Sequence, residues 1–145
     1  DYESAERHLL RHIELKPREP NAYNYLGYML IERDKDIDRA IGYIKKALEI
    51  EPNNGAFLDS LGWAYFKAGK IEEAIANLEK AAELIPTDSD IREHLGYAYF
   101  KKGGDFSQKA VSEWEKAIEL KPWKTSLRQK LDDLRKSVGL SKTSK

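Results

Sequence analysis

The sequence predicts an all-α protein built as a solenoid of antiparallel helix pairs, and three observations lead to this fold class. The first is a repeat of about 35 residues, and the second is the helical spacing of apolar residues inside each copy. The third is a composition in which 34% of the 145 residues are charged and 41% are hydrophobic. So many charges need a large surface for the enclosed volume, as in thin, elongated helical proteins.

The repeat is marked by glycines, prolines and alanines that recur in phase. A leucine–glycine pair appears three times, with steps of 35 and 34 residues between Gly27, Gly62 and Gly96. Prolines step by 35, 34 and 36 residues, at Pro17, Pro52, Pro86 and Pro122. Alanines follow the same period, at Ala40, Ala74 and Ala110 and at Ala47, Ala81 and Ala117. Because these landmarks share one period, the sequence predicts repeated structural units.

Each copy is typical of two amphipathic helices joined by a short turn. In the central copy, apolar residues at helical spacing lie on both sides of the sequence KAGK, where Gly69 suits the turn. Gly62 lies inside the first helix, where a glycine costs about 1 kcal/mol relative to alanine. We therefore expect Gly62, with the small Ala74 and Ala81, to let the two helices approach closely.

The copies resemble the tetratricopeptide repeat (TPR), a helix–turn–helix unit of about 34 residues. The motifs that carry the resemblance are YNYLGYMLIERDKDIDRAIGYIKKALEIEP, FLDSLGWAYFKAGKIEEAIANLEKAAELIP and IREHLGYAYFKKGGDFSQKAVSEWEKAIELKP. The resemblance implies a right-handed α-solenoid with a concave surface lined by the first helix of each repeat. The family's bulky aromatic residue near the start of that helix is Tyr23 here, but the other copies have Leu58 and Arg92.

We predict one TPR domain over residues 1–145. Its parts are a half-repeat with the second helix only (1–17), three repeats (18–52, 53–86 and 87–122), a capping helix (123–139) and a flexible tail (140–145). The first copy has one extra residue near Asp34–Asp36 and the third has two near Gly103–Gln108, which we expect to change turns more than the fold. Because the chain begins at Asp1, we expect it to be an excerpt or a processed product of a longer protein.

The composition argues against several classes of partner. Lys plus Arg and Asp plus Glu both number 25, so no broad electrostatic field attracts nucleic acid or an anionic membrane. There is no cysteine, and no apolar run is long enough to cross a membrane.

The sequence is also similar to the C-terminal repeats of bacterial TPR proteins, many of them periplasm-facing outer-membrane lipoproteins. That resemblance implies a periplasmic or outer-membrane-associated location, and the cytoplasm remains open.

Catalytic, metal and cofactor sites have little support in the sequence. His8 and His12 in the segment HLLRH stand one helical turn apart, but no third metal ligand is evident. His94 has no nucleophile beside it. We therefore predict that the chain is not an enzyme and has no cofactor and no metal.

The family's pattern implies which side chains point into the concave groove. We expect a ligand-binding site formed by Asn24, Tyr28, Ile31, Asp59, Trp63, Phe66, Asp90, Glu93, Tyr97 and Phe100. Aromatic residues are common binding hot spots, and an alternative is that some of these rings only pack neighbouring first helices together. We give Trp63 and Tyr97 precedence over Phe66 and Phe100 as ligand contacts.

One variant of the family holds a terminal carboxylate of a chaperone with lysines, asparagines and an arginine. The corresponding residues here are Asn24, Tyr28, Ser60, Asp90 and His94. Only Asn24 is of a suitable type, so we predict that this carboxylate clamp is absent. Because Asp59, Asp90 and Glu93 make one flank acidic, we expect a basic or neutral apolar peptide instead.

The predicted function is a non-catalytic adaptor that binds a peptide or a segment of another protein in the groove. An alternative is self-association through the open N-terminal end, where the first helix exposes an apolar face. RNA binding is a weaker alternative, since the pentatricopeptide repeat has a similar period. The balanced charge and the leucine–glycine landmarks argue against it.

Overall fold

The computed structural model describes residues 1–139, which form eight α-helices and no strand. In chain order they are α1 (Tyr2–Leu15), α2 (Pro20–Glu32), α3 (Ile37–Ile50), α4 (Gly55–Lys67), α5 (Ile71–Leu84), α6 (Ser89–Lys102), α7 (Phe106–Leu120) and α8 (Thr125–Ser137). The prediction of an all-α protein is confirmed. None of the described helices is long and apolar enough to cross a membrane.

The helices group into two compact units. The first covers Asp1–Leu84 and contains α1 to α5, and the second begins at Ile85 and contains α6 to α8. In the first unit α2 pairs with α3 and α4 with α5, and α4 also packs against α2 and α3. In the second unit α7 packs against both α6 and α8.

Glycines allow close contact inside each helix pair, as predicted. A Cβ atom at Gly27 would lie 2.5 Å from Ile44 Cγ1, and one at Gly62 would lie 2.5 Å from Leu78 Cγ. The alanines of the repeat pattern lie on the facing second helices and are fully buried, at Ala40, Ala47, Ala74, Ala81, Ala110 and Ala117. Small residues on both helices therefore set the distance between them.

The turns inside the three pairs differ. The turn between α4 and α5 has one residue at positive φ, Gly69 at +76°. The turn between α2 and α3 has two, Asp34 and Asp36, and the turn between α6 and α7 contains Gly103 and Gly104, also at positive φ. The extra residues of the first and third copies thus change the turns, while each pair keeps two helices.

The helices at the two ends are buried to different degrees. None of the residues of α1 is buried, whereas Leu127, Leu131 and Leu134 of α8 are buried, and α8 packs against α7. The division of the chain into a half-repeat, three repeats and a cap stays a prediction. The predicted tail, residues 140–145, lies outside the described residues.

Candidate peptide-binding surface

The predicted site residues of α2 differ in exposure. Tyr28 is 39% exposed, and Asn24 is half-buried, with an Oδ1 atom that has no hydrogen-bond partner among the described residues. The prediction that Ile31 lines the groove is wrong, because Ile31 is fully buried. It packs in a core cluster with Leu61 and Ala64 of α4, which cover the end of α2.

On α4, two predicted site residues form a stacked aromatic pair. The ring centroids of Trp63 and Phe66 are 4.7 Å apart, and their planes differ by 4°. Both side chains are half-buried, and Trp63 packs against the core cluster around Leu61. The Lys67 ammonium group lies 5.7 Å from the centroid of Trp63 and forms an ion pair with Asp34. Trp63 therefore contributes to packing and also presents part of its ring to solvent.

The second unit contains an apolar cavity at the predicted site residues of α6. Its volume is about 400 Å³, and its apolar lining consists of Tyr97, Phe100, Trp114 and Leu134. Phe100 is 50% exposed, whereas Trp114 and Leu134 are buried. The cavity thus brings the two predicted rings of α6 together with a ring of α7 and a leucine of α8.

Ring contacts and a hydrogen bond fix the inner wall of this cavity. Tyr97 meets Trp114 edge to face, with 5.1 Å between centroids, and Phe100 lies 5.8 Å from Trp114. Trp114 Nε1 donates a hydrogen bond to the carbonyl oxygen of Glu93, at 3.1 Å. Because the indole is held from two sides, the cavity is part of the folded unit and needs no rearrangement to form.

Polar residues of α8 form the remainder of the lining. They are Lys130, Asp133 and Ser137. The Lys130 ammonium donates a hydrogen bond to the Tyr97 hydroxyl and lies 4.9 Å from the centre of the same ring. Asp133 Oδ1 accepts a hydrogen bond from Gln129 Nε2, at 3.0 Å. The predicted site did not include these residues, because the family's pattern placed the groove on the first helices of the three full repeats.

The two acidic residues predicted on α6 are paired within the unit. Lys124 Nζ lies 2.6 Å from Asp90 Oδ1 and 2.9 Å from Glu93 Oε1, and Lys121 Nζ lies 3.4 Å from Asp90 Oδ2. Hydrogen bonding to Lys124 lowers the pKa of the Asp90 carboxyl, although burial opposes the shift. The acidic flank of this unit is therefore neutralised by lysines that precede α8 in the sequence.

The histidines that suggested a metal line a different cavity, of about 350 Å³, in the first unit. His12 Nε2 lies 2.6 Å from Glu19 Oε2, and hydrogen bonds from His12 and then Lys16 lower the pKa of Glu19. Among residues 1–139, no group of three or more histidine, cysteine or acidic side chains is placed to hold a metal ion.

Comparison with protein families identifies the repeats. Two models described as tetratricopeptide repeats match residues 1–55 and 43–76, and a third, described as a TPR repeat, matches residues 62–103. A TPR repeat-containing protein of Pseudomonas aeruginosa is 35% identical over 71 residues. The match covers 49% of this chain and only 12% of that protein, so the chain spans a small part of the relative's length.

Solved structures of similar fold include two kinds of protein. MamA from Desulfovibrio magneticus has a TM-score of 0.81 at 23% identity, covering 94% of this chain and 76% of that one. The first TPR of Spaghetti (RPAP3), bound to the HSP90 peptide SRMEEVD, has a TM-score of 0.76 at 19% identity, covering 83% and 93%. At these identities the similarity shows the fold alone.

The family matches together span residues 1–103. The pair formed by α6 and α7 has the same close contact at a glycine, Gly96, as the two preceding pairs. Both observations lead to the family whose repeat is a pair of antiparallel helices and whose fold supports protein–protein interaction. The chain belongs to the tetratricopeptide-repeat family.

Proposed function

We propose that this chain is a non-catalytic adaptor that binds a peptide or a segment of another protein, and that the cavity beside Phe100 is its principal contact. The observation that carries the proposal is an apolar cavity walled by Tyr97, Phe100 and Trp114 and open to solvent on the Phe100 side. Ligand sites are typically concave and apolar, with a few polar groups at fixed positions. Lys130, Asp133 and Ser137 are such groups.

The physical basis is the burial of aromatic surface that folding leaves exposed. Phe100 remains 50% exposed, although it packs against the Trp114 ring, which is itself hydrogen-bonded to the Glu93 carbonyl oxygen. Covering a rigid ring costs little conformational entropy, and aromatic residues in preformed pockets are frequent hot spots. In the first unit, Tyr28 and the stacked Trp63 and Phe66 offer further aromatic surface.

The fold relatives support a peptide as the type of ligand. The first TPR of Spaghetti, which has this fold, is bound to an HSP90 peptide. The carboxylate clamp, whose absence was predicted from the residues at its positions, is not part of the proposal. Asp90, at one of its positions, is paired with Lys124 and Lys121.

Selection from a random peptide library displayed on phage tests the proposal with the full chain as bait. We expect recovered peptides to share an aromatic or large aliphatic residue, and Phe100→Ala to weaken their binding by about 1–3 kcal/mol. Trp123→Ala is the matched control, because Trp123 is 72% exposed in the same unit but does not line the cavity. Equal losses in both variants, or no recovered peptide, would contradict the proposal.

Self-association is a second candidate function, favoured by the exposure of the first unit's N-terminal helices. Tyr2, Leu15 and Tyr25 are each more than half exposed, and α1 buries none of its residues. Apolar surface of this kind can dock a second copy. Light scattering over a wide concentration range tests it: a rising mass that Tyr25→Ser suppresses supports self-association, and a constant monomer mass excludes it.

A further inference from the structure

Lys130 is the positively charged residue that lines the cavity of the second unit. Its ammonium group donates to the Tyr97 hydroxyl, which is a neutral partner, and lies beside that hydroxyl, 4.9 Å from the centre of the ring. Among residues 1–139, no carboxylate lies within ion-pair distance of Lys130. An ammonium group has three N–H donors, and the bond to Tyr97 uses one of them. Lys130 therefore keeps N–H donors beyond the one that Tyr97 uses, and no carboxylate of the described residues neutralises its charge.

The neighbouring lysine shows the contrast. Lys124 contacts two carboxylates, those of Asp90 and Glu93, and these same carboxylates form the acidic flank that the sequence predicted. Since Lys124 and Lys121 neutralise that flank, it offers little attraction to a basic ligand. The reason to expect a basic or neutral peptide is thus removed in this unit.

One acidic residue also lines the cavity and acts in the opposite direction. Asp133 is three residues from Lys130 on α8, and its Oδ1 atom accepts a hydrogen bond from Gln129. That hydrogen bond occupies one acceptor oxygen of the carboxylate but does not neutralise its negative charge. Lys130, in contrast, contacts the hydroxyl of Tyr97, and the Tyr97 ring forms part of the cavity wall. Its charge therefore lies at the edge of the surface that an apolar side chain would cover.

We propose that the cavity binds an aromatic or large aliphatic side chain of a partner segment whose adjacent residue is acidic, and that Lys130 forms an ion pair with that carboxylate. This inference rests on the proposed function and specifies the chemistry of the bound segment. The carboxylate is that of an internal Asp or Glu side chain, so the segment needs no free C-terminus. Partial desolvation by the covering apolar residue strengthens such a charge-assisted hydrogen bond.

Charge variants of one selected peptide test this inference in fluorescence polarisation with the full chain. The probes are three versions of one peptide recovered by the library selection described above. They are blocked at both ends and carry Glu, Gln or Lys next to the apolar residue. We expect the Glu peptide to bind about three- to tenfold tighter than the Gln peptide and the Lys peptide to bind weakest. High salt should narrow these differences.

Three variants assign the preference to Lys130. Lys130→Gln should abolish the advantage of the Glu peptide over the Gln peptide, and Lys130→Arg should retain it. Asp133→Asn should increase it by about twofold, because it removes the opposing charge. Thermal unfolding of each variant serves as the control that the unit remains folded.

The outcomes separate this inference from the function on which it rests. If Gln or Lys peptides bind as tightly as the Glu peptide, or if the preference survives in Lys130→Gln, the ion pair is wrong while peptide binding stands. If the selection recovers no peptide that depends on Phe100, the proposed function fails and this inference fails with it.

Discussion

Gly96 of α6 lies so close to the indole ring of Trp114 on α7 that a Cβ atom at position 96 would overlap the ring. The same relationship joins Gly62 to Leu78 and Gly27 to Ile44. Trp114 thus occupies the position that aliphatic residues hold in the other two pairs. Because it is larger, it also reaches the cavity beside Tyr97 and Phe100.

The contact at Gly62 predicts a loss of stability on adding a single methyl group. Gly62→Ala should lower the free energy of unfolding by about 1–3 kcal/mol, because the new Cβ collides with Leu78 Cγ. Gly42→Ala is the control: Gly42 is inside α3, and outside its own stretch of helix no atom lies within 4 Å of a Cβ there, so alanine should stabilise by about 0.5–1 kcal/mol. Urea denaturation measures both. Similar shifts in the two variants would show that the contact has no energetic effect.

The glycine contacts and the helix pairs were predictable because they depend on spacing along the chain. A glycine inside an apolar helix needs a packing reason, and the alanines at a fixed offset in the next helix indicate that the two helices approach closely. The burial of Ile31 was not predictable from its repeat position. Phe100, the equivalent residue of the third copy, is half exposed, whereas Ile31 is covered by α4.

Arg92 replaces the family's aromatic residue, and the structure supplies the reason. Its guanidinium lies 2.9 Å from Glu113 on α7, with the two side chains only 15% and 10% exposed. Removing one partner leaves a nearly buried charge, so Glu113→Gln should lower the free energy of unfolding by about 2–3 kcal/mol. The double variant Arg92→Met, Glu113→Leu should recover most of that loss. A double variant as unstable as the sum of the single variants would contradict the pairing.

Ion pairs of this kind could not be predicted from the sequence. Residues 92 and 113 belong to different helices, and Lys124 reaches Asp90 across 34 positions. Balanced composition offers many possible partners for each charge, and only the folded geometry selects one. The folded geometry pairs Asp90 and Glu93 with lysines and leaves Lys130 without a carboxylate partner among the described residues.

The Asp90–Lys124 pair predicts a pH dependence. The pKa of Asp90 is lowered in the folded state, so its contribution to stability is full above the unfolded pKa of about 3.9 and is lost as pH falls through the folded value. Asp90→Asn should therefore reduce stability near neutral pH by at most about 1 kcal/mol, since the side chain is partly exposed. The difference from the parent chain should vanish in acid. A difference that grows below pH of about 4 would have the wrong sign.

The aromatic residues of the predicted site should separate into structural and binding residues. Trp63→Ala should lower the free energy of unfolding by about 2–3 kcal/mol, because part of the ring packs against the core. Phe100→Ala should cost about 1 kcal/mol, because half of that ring is already exposed. Thermal and urea unfolding of both variants check the order. A larger cost at Phe100 would assign it a mainly structural role.

The most direct test of the central claim is a nuclear magnetic resonance titration of the isotope-labelled full chain with a selected peptide. If the cavity of the second unit is the contact, the largest shift changes should occur at Tyr97, Phe100, Lys130 and Leu134. They should be absent with a peptide whose apolar residue is replaced by serine. Shifts centred instead on Ile118 and Arg128, which line a separate cavity between α7 and α8, would contradict the claim that this protein binds its partner beside Phe100.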